Sequence, residues 1–543
     1  MSAAALVHEL VPPPDPAESC ARFAGLPFRI FLDSARDPDR LGRYSFLAAD
    51  PSTVVRSKGT RAERITLADG TAHPLDGHAL EAVRGLLAPH AREPLPGLPP
   101  FQGGVAGYIG YDWGAVLERL PAPRYDDLAI PDVILGLYDW VIAWDHLDRR
   151  AWIMSTGIPC TGAERDRRAA DRLAMVLAQL SAGGSDRAPV IPSAARNRSP
   201  GGEIPQSLSL LRNDKPILSF RAQRGIAPPL SRDSSVAPLP GTDRADVVRA
   251  PSYSVRGPDL PASVELRSSF THRGYLDAVA RVREYILAGD IFEANLSQRL
   301  EAPLRESPWS LYQRLRALNP APFAAFLDFG DVRILSASPE RFLRLTPERH
   351  VEARPIKGTS ARGVYPEHDA ALSRALADSV KDRAENLMIV DLLRNDLSRV
   401  SVPGTVRAPE LFALEHYSTV HHLVSTVVGE LAPDRDAVDL LCATFPGGSI
   451  TGAPKIRAME IIAELEPSRR GVYCGSIGYL SVTGALDMSI VIRTYLALGR
   501  RVYFSVGGAV TADSDPEQEY GETLDKGKAL IAALGEQGTG AAV

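Results

Sequence analysis

The chain has 543 residues, of which 45% are hydrophobic and 23% charged, and its formal net charge is -5. This length exceeds one ordinary core, and the weak negative balance gives no general attraction to nucleic acid or to anionic membranes, so small molecules and proteins are the expected partners. Cys20, Cys160, Cys442 and Cys474 lack metal-ligand spacing, no apolar run reaches transmembrane length and the N-terminus has no basic leader; free thiols and a cytoplasmic location are expected.

Alternation marks the first strands. Phe28, Ile30 and Leu32 share one face, and Tyr44, Phe46 and Ala48 repeat the pattern after a polar turn. Asp69-Gly70 signals a hairpin, and His78 to Leu87 a short helix. The glycines from Gly103 to Gly110 lack the spacing of a dinucleotide fingerprint and point to close backbone packing instead. Val133 to Trp144 and Ala151 to Thr156 flank a polar turn as a hairpin, and Ala163 to Leu180 is an amphipathic helix. These elements define a β-rich first domain over residues 20–180. From 183 to 261 Pro, Ser, Gly and Arg dominate without apolar period, so a disordered linker or insertion is expected there.

A second domain is expected over 271–534. It opens with a helix capped by Thr271, whose inward face is Tyr275, Val279, Val282 and Ile286 and which Gly289 ends. Phe323 to Leu327 and Val332 to Ala337 form a hairpin around Gly330, leaving Glu340 at a strand end. One long helix is expected from Glu367 to Ser398, and another starts within Asp513 to Glu522.

The chemistry gathers around Arg354-Pro355-Ile356-Lys357-Gly358-Thr359. Pro355 forces the residue before it into extended geometry and Gly358 permits a turn or close approach, so Lys357 is either an aimed amine or a solvated strand-end charge. Glu385 sits one turn before an apolar stretch, where a carboxylate needs a cation or a metal. Glu519 and Glu522, three apart, share one helix face. With Glu385 they make a cage for a hard divalent ion such as magnesium; equally, they are acids at a helix start paired with Lys526 and Lys528. Phe445 to Lys455 is a glycine-rich turn into a helix, but Ala453 and Pro454 break phosphate-loop spacing, so its N–H groups suit a carboxylate better than a nucleotide. Arg493 offers a fork for an anion beside Gly507 and Gly508. One of His421 and His422 is expected to face inward.

Taken together, Asp290 to Leu296, Ser338 to Phe342, Asp391 to Asp396, Gly447 to Lys455, Arg470 to Tyr479 and Asp513 to Glu522 resemble the chorismate-utilising enzymes of the anthranilate synthase component I type. The resemblance covers about 271–534, and more loosely the first domain. It implies an α+β fold in which two β-sheets pack face to face with helices outside. Lysine at 357, where anthranilate synthases carry alanine, is similar to the aminodeoxychorismate synthases and implies amination of chorismate at C4 toward p-aminobenzoate and folate. In that mechanism Lys357 attacks the ring and Glu340 is the acid for the departing hydroxyl. An ammonium cannot attack, so the pocket must lower the amine's pKa or place a base nearby. By position, Gly358, Thr359, Ser449, Tyr473, Arg493, Gly507 and Gly508 match chorismate contacts, with Lys526 a turn beyond Glu522. Glu385 and Glu522 match magnesium ligands, Glu519 lies close by, and His422 matches a pocket histidine. Ala509 departs from the usual glycine. The resemblance also implies a separate glutamine amidotransferase subunit as ammonia source, and Leu32 to Ser34 match a region that holds tryptophan in relatives. Replacing Lys357 by alanine is expected to remove the amine and leave the fold intact.

Overall fold

The computed structural model describes residues 5–34, 41–181, 248–255, 261, 263–417 and 420–535. The expected linker, 183–261, lies for the most part outside these residues; its described end places Tyr253–Ser254 against Arg267–Ser268.

Period-two alternation sorts side chains into layers. Along Arg29–Asp33 and Tyr44–Ala48, Ile30, Phe46 and Ala48 enter one core cluster, whereas Phe31 and Leu47 enter another on the opposite face. The first cluster also holds Val54, Ala106, Tyr108, Ile134 and Ile477 from a second sheet, so it fills the space between two sheets packed face to face. Outside the first sheet lie Gly162–Ser181, Pro308–Leu318 and Pro516–Leu534, which bury Val176, Leu311, Tyr312, Leu530 and Ile531. Outside the second lie Ala79–Leu87, Val380–Ser398 and Ala437–Thr444, through Leu80, Val83, Ile389, Leu393 and Leu440, while Lys455–Leu465 packs on Glu293–Pro303 of the first sheet through Ala458 and Ile461. The expected α+β architecture is the one observed.

Both sheets draw strands from both expected domains. In the 13-stranded sheet Arg29–Asp33 pairs with Phe323–Phe329, and in the 12-stranded sheet Gly104–Ile109 pairs with Ser476–Ser481, every pairing being antiparallel. The strands that flank Gly104–Ile109, Ser476–Ser481 on one side and Val133–Tyr138 on the other, explain the early glycines. A Cβ at Gly104 would lie 2.3 Å from the Leu480 carbonyl oxygen, and one at Gly107 2.1 Å from that of Ile134.

Two expected elements divide. Val133 to Trp144 splits at Asp139: Val133–Tyr138 lies in the second sheet and Trp140–Asp145 in the first. Buried Asp139 holds the crossover by accepting from Arg168 at 2.6 Å and Arg172 at 3.2 Å. The long helix expected from Glu367 to Ser398 is two, Pro366–Asp378 and Val380–Ser398, because Ser379 turns out of the helix and its hydroxyl caps the next by accepting from Asp382 N at 3.2 Å. All four cysteines are free, and among the described residues no helix is long and apolar enough to cross a membrane.

Candidate active site

Lys357 owes its direction to an irregularity. The strand Ile356–Ala361 pairs Ile356 with Val424 and Thr359 with His422, so one extra residue is bulged out between them, and Gly358 takes φ 88° there. A bulge of this kind re-aims a side chain, and here it turns Lys357 inward, where it is only 7% exposed. Its Nζ donates to Glu293 Oε1 at 3.1 Å. Glu293 comes from the other sheet, on Glu293–Pro303, and is fully buried. The pair therefore closes the site between the two sheets.

Burial lowers the affinity of the Lys357 amine for its proton, but the carboxylates of Glu293, Glu385 and Glu340 outweigh it and hold the pKa above that of an ordinary lysine. Of the two arrangements an attacking amine requires, the molecule has the adjacent base rather than the depressed pKa. Glu293 Oε2 is buried and has no hydrogen-bond partner among the described residues. Sequence reasoning did not single out Glu293. The available signal was an acid inside the apolar run Ile291 to Leu296, the same signal that drew attention to Glu385.

Glu340 follows the strand Val332–Ser338 and is buried. Ser449 Oγ donates to its Oε1 at 2.6 Å, and Ile356 N approaches the same oxygen at 3.4 Å. Burial raises its carboxyl to about 7, against the lowering effects of Ser449, Ile356 N, Lys357 and Arg493. Such a group is protonated often enough near neutrality to donate to a leaving oxygen. Arg493 stands where the chain passes from Leu486–Ile490 in the second sheet to Thr494–Leu498 in the first, with φ 51°.

His421 and His422 are both buried, at 1% and 2% exposure, so the expectation that only one faces inward is corrected. They point to opposite faces of one strand, and each face is covered. His421 Nε2 lies 3.0 Å from Asp369 and Nδ1 2.7 Å from His416. His422 Nδ1 lies 2.8 Å from Thr359 Oγ1, while Nε2 is buried without a partner. Burial, Arg493 and His421 push the His422 imidazole down to about 3, so it is neutral. Tyr473 lies 5.8 Å from the Arg470 guanidinium, and burial pushes the neighbouring Cys474 thiol up to about 12, which makes it inert.

The carboxylates expected to hold a metal form two groups. Glu519 and Glu522 converge across Gly508, where a Cβ would sit 3.1 Å from Glu519 Oε2 and 3.3 Å from Glu522 Oε1. Lys526 donates to the Gly507 carbonyl at 3.1 Å and pairs with Glu522 at 2.6 Å, so the helix-pairing alternative also describes part of the arrangement. Glu385, on Val380–Ser398, is raised to about 7, first by burial. Glu385 Oε1 and Glu519 Oε2 are both buried with no hydrogen-bond partner among the described residues, and Lys381 Nζ lies 3.9 Å from Glu385 Oε1. Among the described residues no three metal-ligating side chains meet at one point. Magnesium needs only one or two protein carboxylates, completing its shell with water and substrate oxygens, so these hard carboxylate oxygens fit it. Ala509 lies opposite Asn295 in the ladder, beside Gly508 opposite Leu296.

Two antiparallel sheets thus bring together a buried lysine–glutamate pair, a buried acid and glycine-lined carboxylates. The model of the chorismate binding enzyme family matches residues 233–532, and the chain belongs to that family. It is 39% identical over 526 residues to aminodeoxychorismate synthase component 1 of Salmonella typhimurium, covering 96% of each chain. It is 37% identical over 510 residues to anthranilate synthase component 1 of Cereibacter sphaeroides, covering 93% of this chain and 89% of that protein. The crystal structure of anthranilate synthase component I from Streptococcus pneumoniae superposes with a TM-score of 0.66 at 27% identity, over 90% of this chain and 92% of that one.

Proposed function

We propose that this protein aminates chorismate at C4, giving 4-amino-4-deoxychorismate and water, with ammonia supplied from glutamine by a partner amidotransferase subunit in the cytoplasm. The observation that carries this reading is Lys357, buried and aimed by a bulge, 3.1 Å from a carboxylate able to take its proton. Glu293 accepts that proton, and the neutral amine adds to C2 as the ring double bond shifts and the C4 hydroxyl departs. Glu340 protonates the departing oxygen, so that water leaves. Ammonia then adds at C4 and gives up a proton that restores Glu340, the double bond returns, and the lysine is expelled with its proton restored from Glu293. Arg493, Thr359, Ser449, Tyr473 and the Gly358, Gly507 and Gly508 backbone orient the substrate, and neutral His422 offers Nε2 to it.

Magnesium would be held by Glu385 and Glu522, with Glu519 beside them, and would supply positive charge to a substrate carboxylate. Tryptophan is a candidate occupant of a separate cavity of about 410 Å³, lined by Leu32, Asp33, Ser34, Arg43, Arg341 and Asp487. The Cereibacter sphaeroides relative supports anthranilate formation as the second reading. Incubation with chorismate, magnesium and ammonium salt, followed by mass and absorbance identification of the product, separates them. Aminodeoxychorismate supports the amination; anthranilate with pyruvate overturns it in favour of the second reading, and no product favours a catalytically silent chorismate-binding subunit.

A further inference from the structure

Lys455 and Asp396 belong to two sequence motifs that the chemistry above leaves unused. Lys455 is where a phosphate-binding lysine would be sought, yet its side chain turns away from the pocket. Its Nζ donates to Asp396 Oδ2 at 2.5 Å and to the Thr444 carbonyl at 2.8 Å. Thr444 ends the helix Ala437–Thr444 and Lys455 begins Lys455–Leu465, so one ammonium ties the two ends of the intervening loop, 445–454. Asp396 adds a third anchor, the helix that also carries Glu385.

The loop so closed is tightly wedged. A Cβ at Gly447 would lie 2.7 Å from Ile490, one at Gly448 2.8 Å from Leu392, and one at Gly452 2.2 Å from the Glu293 carbonyl oxygen. The loop's Thr451 and Ala453 carbonyls accept from Asn295 N at 2.8 Å and Phe292 N at 2.7 Å, on either side of Glu293. At its crest is Ser449, whose hydroxyl holds Glu340.

We propose that Lys455 and Asp396 are positioning residues: their buried pair clasps loop 445–454 at its base and thereby keeps Ser449 bonded to Glu340. This rests on the reading of Glu340 as the acid. Ser449 donates to the carboxylate form, so losing that bond raises the acid's pKa. The other charged or titratable groups facing Glu340 are Lys357 and Arg493, which lower it, and the neutral thiol of Cys474; none touches the clasp.

The test is the pH profile of chorismate amination by purified protein with ammonium salt, for Ser449→Ala, Lys455→Met and their combination. The alkaline limb of the wild type reports Glu340. Ser449→Ala is expected to move it up by about one pH unit, the equivalent of one hydrogen bond to a charged group. Lys455→Met is expected to move it the same way with kcat lowered roughly tenfold, and the combination to move it no further than Ser449→Ala alone. If Lys455→Met does not fold, Asp396→Asn carries the same comparison. The apolar pair Asp396→Leu with Lys455→Met distinguishes clasp from scaffold: it restores thermal stability while the shifted limb persists, because Thr444 still lacks its donor. A limb that Ser449→Ala moves and the clasp variants leave in place overturns the proposal. A limb that Ser449→Ala does not move overturns instead the reading of Glu340 on which it rests.

Discussion

Replacing Lys357 by methionine tests the ion pair at the centre of the site. The substitution keeps much of the side chain's volume and removes its charge, leaving the fully buried Glu293 without its partner at 3.1 Å. Breaking a buried pair from one side costs about 3–5 kcal/mol, so the expectation from sequence that losing the amine spares the fold is revised. The cost is pH-dependent. An isolated buried carboxylate escapes the penalty by taking up a proton, which is easier at low pH than at high pH. A raised folded pKa contributes stability fully present below the unfolded pKa and lost as pH rises through the folded one. The variant's deficit against wild type is therefore small near pH 5 and largest near pH 8. Urea unfolding at the two values measures it, with amination activity abolished at both. Lys357→Met combined with Glu293→Gln should recover stability to within about 1 kcal/mol of wild type, without activity. A Lys357→Met protein as stable as wild type at pH 8 would refute the claim that Glu293 is an ionised carboxylate balanced by that lysine.

Glu385→Gln should raise the magnesium concentration for half-maximal activity by roughly tenfold or more, and an unchanged titration would remove Glu385 from the metal site. Gly452→Ala sets a methyl group 2.2 Å from the Glu293 carbonyl oxygen at a φ of 145°, so it should lower unfolding free energy by more than about 3 kcal/mol and disturb amination; a stable, active variant would contradict the packing. His422, held neutral by burial and Arg493, should show no imidazole titration between pH 5 and 8 by NMR in the ligand-free protein.

Local chemistry was legible where one segment carries its own signal. Thr271 caps its helix, accepting from Gly274 N at 3.0 Å, and the alternation around Ile30 and Phe46 matches the layer each residue occupies. Lys357 was visibly special because proline and glycine bracket it, although the extra residue in its strand pairing was not. A bulge is a property of two strands, and only the ladder with Val420–Glu430 reveals it. Glu293 was missed for the same reason: its role depends on a lysine 64 positions away, on the other sheet. The division at Ser379 escaped notice because helix periodicity continues across it, and a single hydroxyl decides between continuing and restarting. Lys455 was compared with a nucleotide-binding pattern because the loop's glycines dominate the sequence, but those glycines answer the crowding of neighbouring backbone and side chains.

The interleaving of the sheets bears on how the molecule is made. During synthesis Gly104–Ile109 emerges long before its partner Ser476–Ser481, and Arg29–Asp33 long before Phe323–Phe329. At roughly 5–20 residues per second, the first of these strands waits on the order of 20–70 s with its partner edge bare. Bare strand edges recruit other chains, so the nascent N-terminal segment is a natural client for chaperones and a poor candidate for expression by itself. The pocket, closed by residues from both sheets, exists only after the last of those partners has left the ribosome.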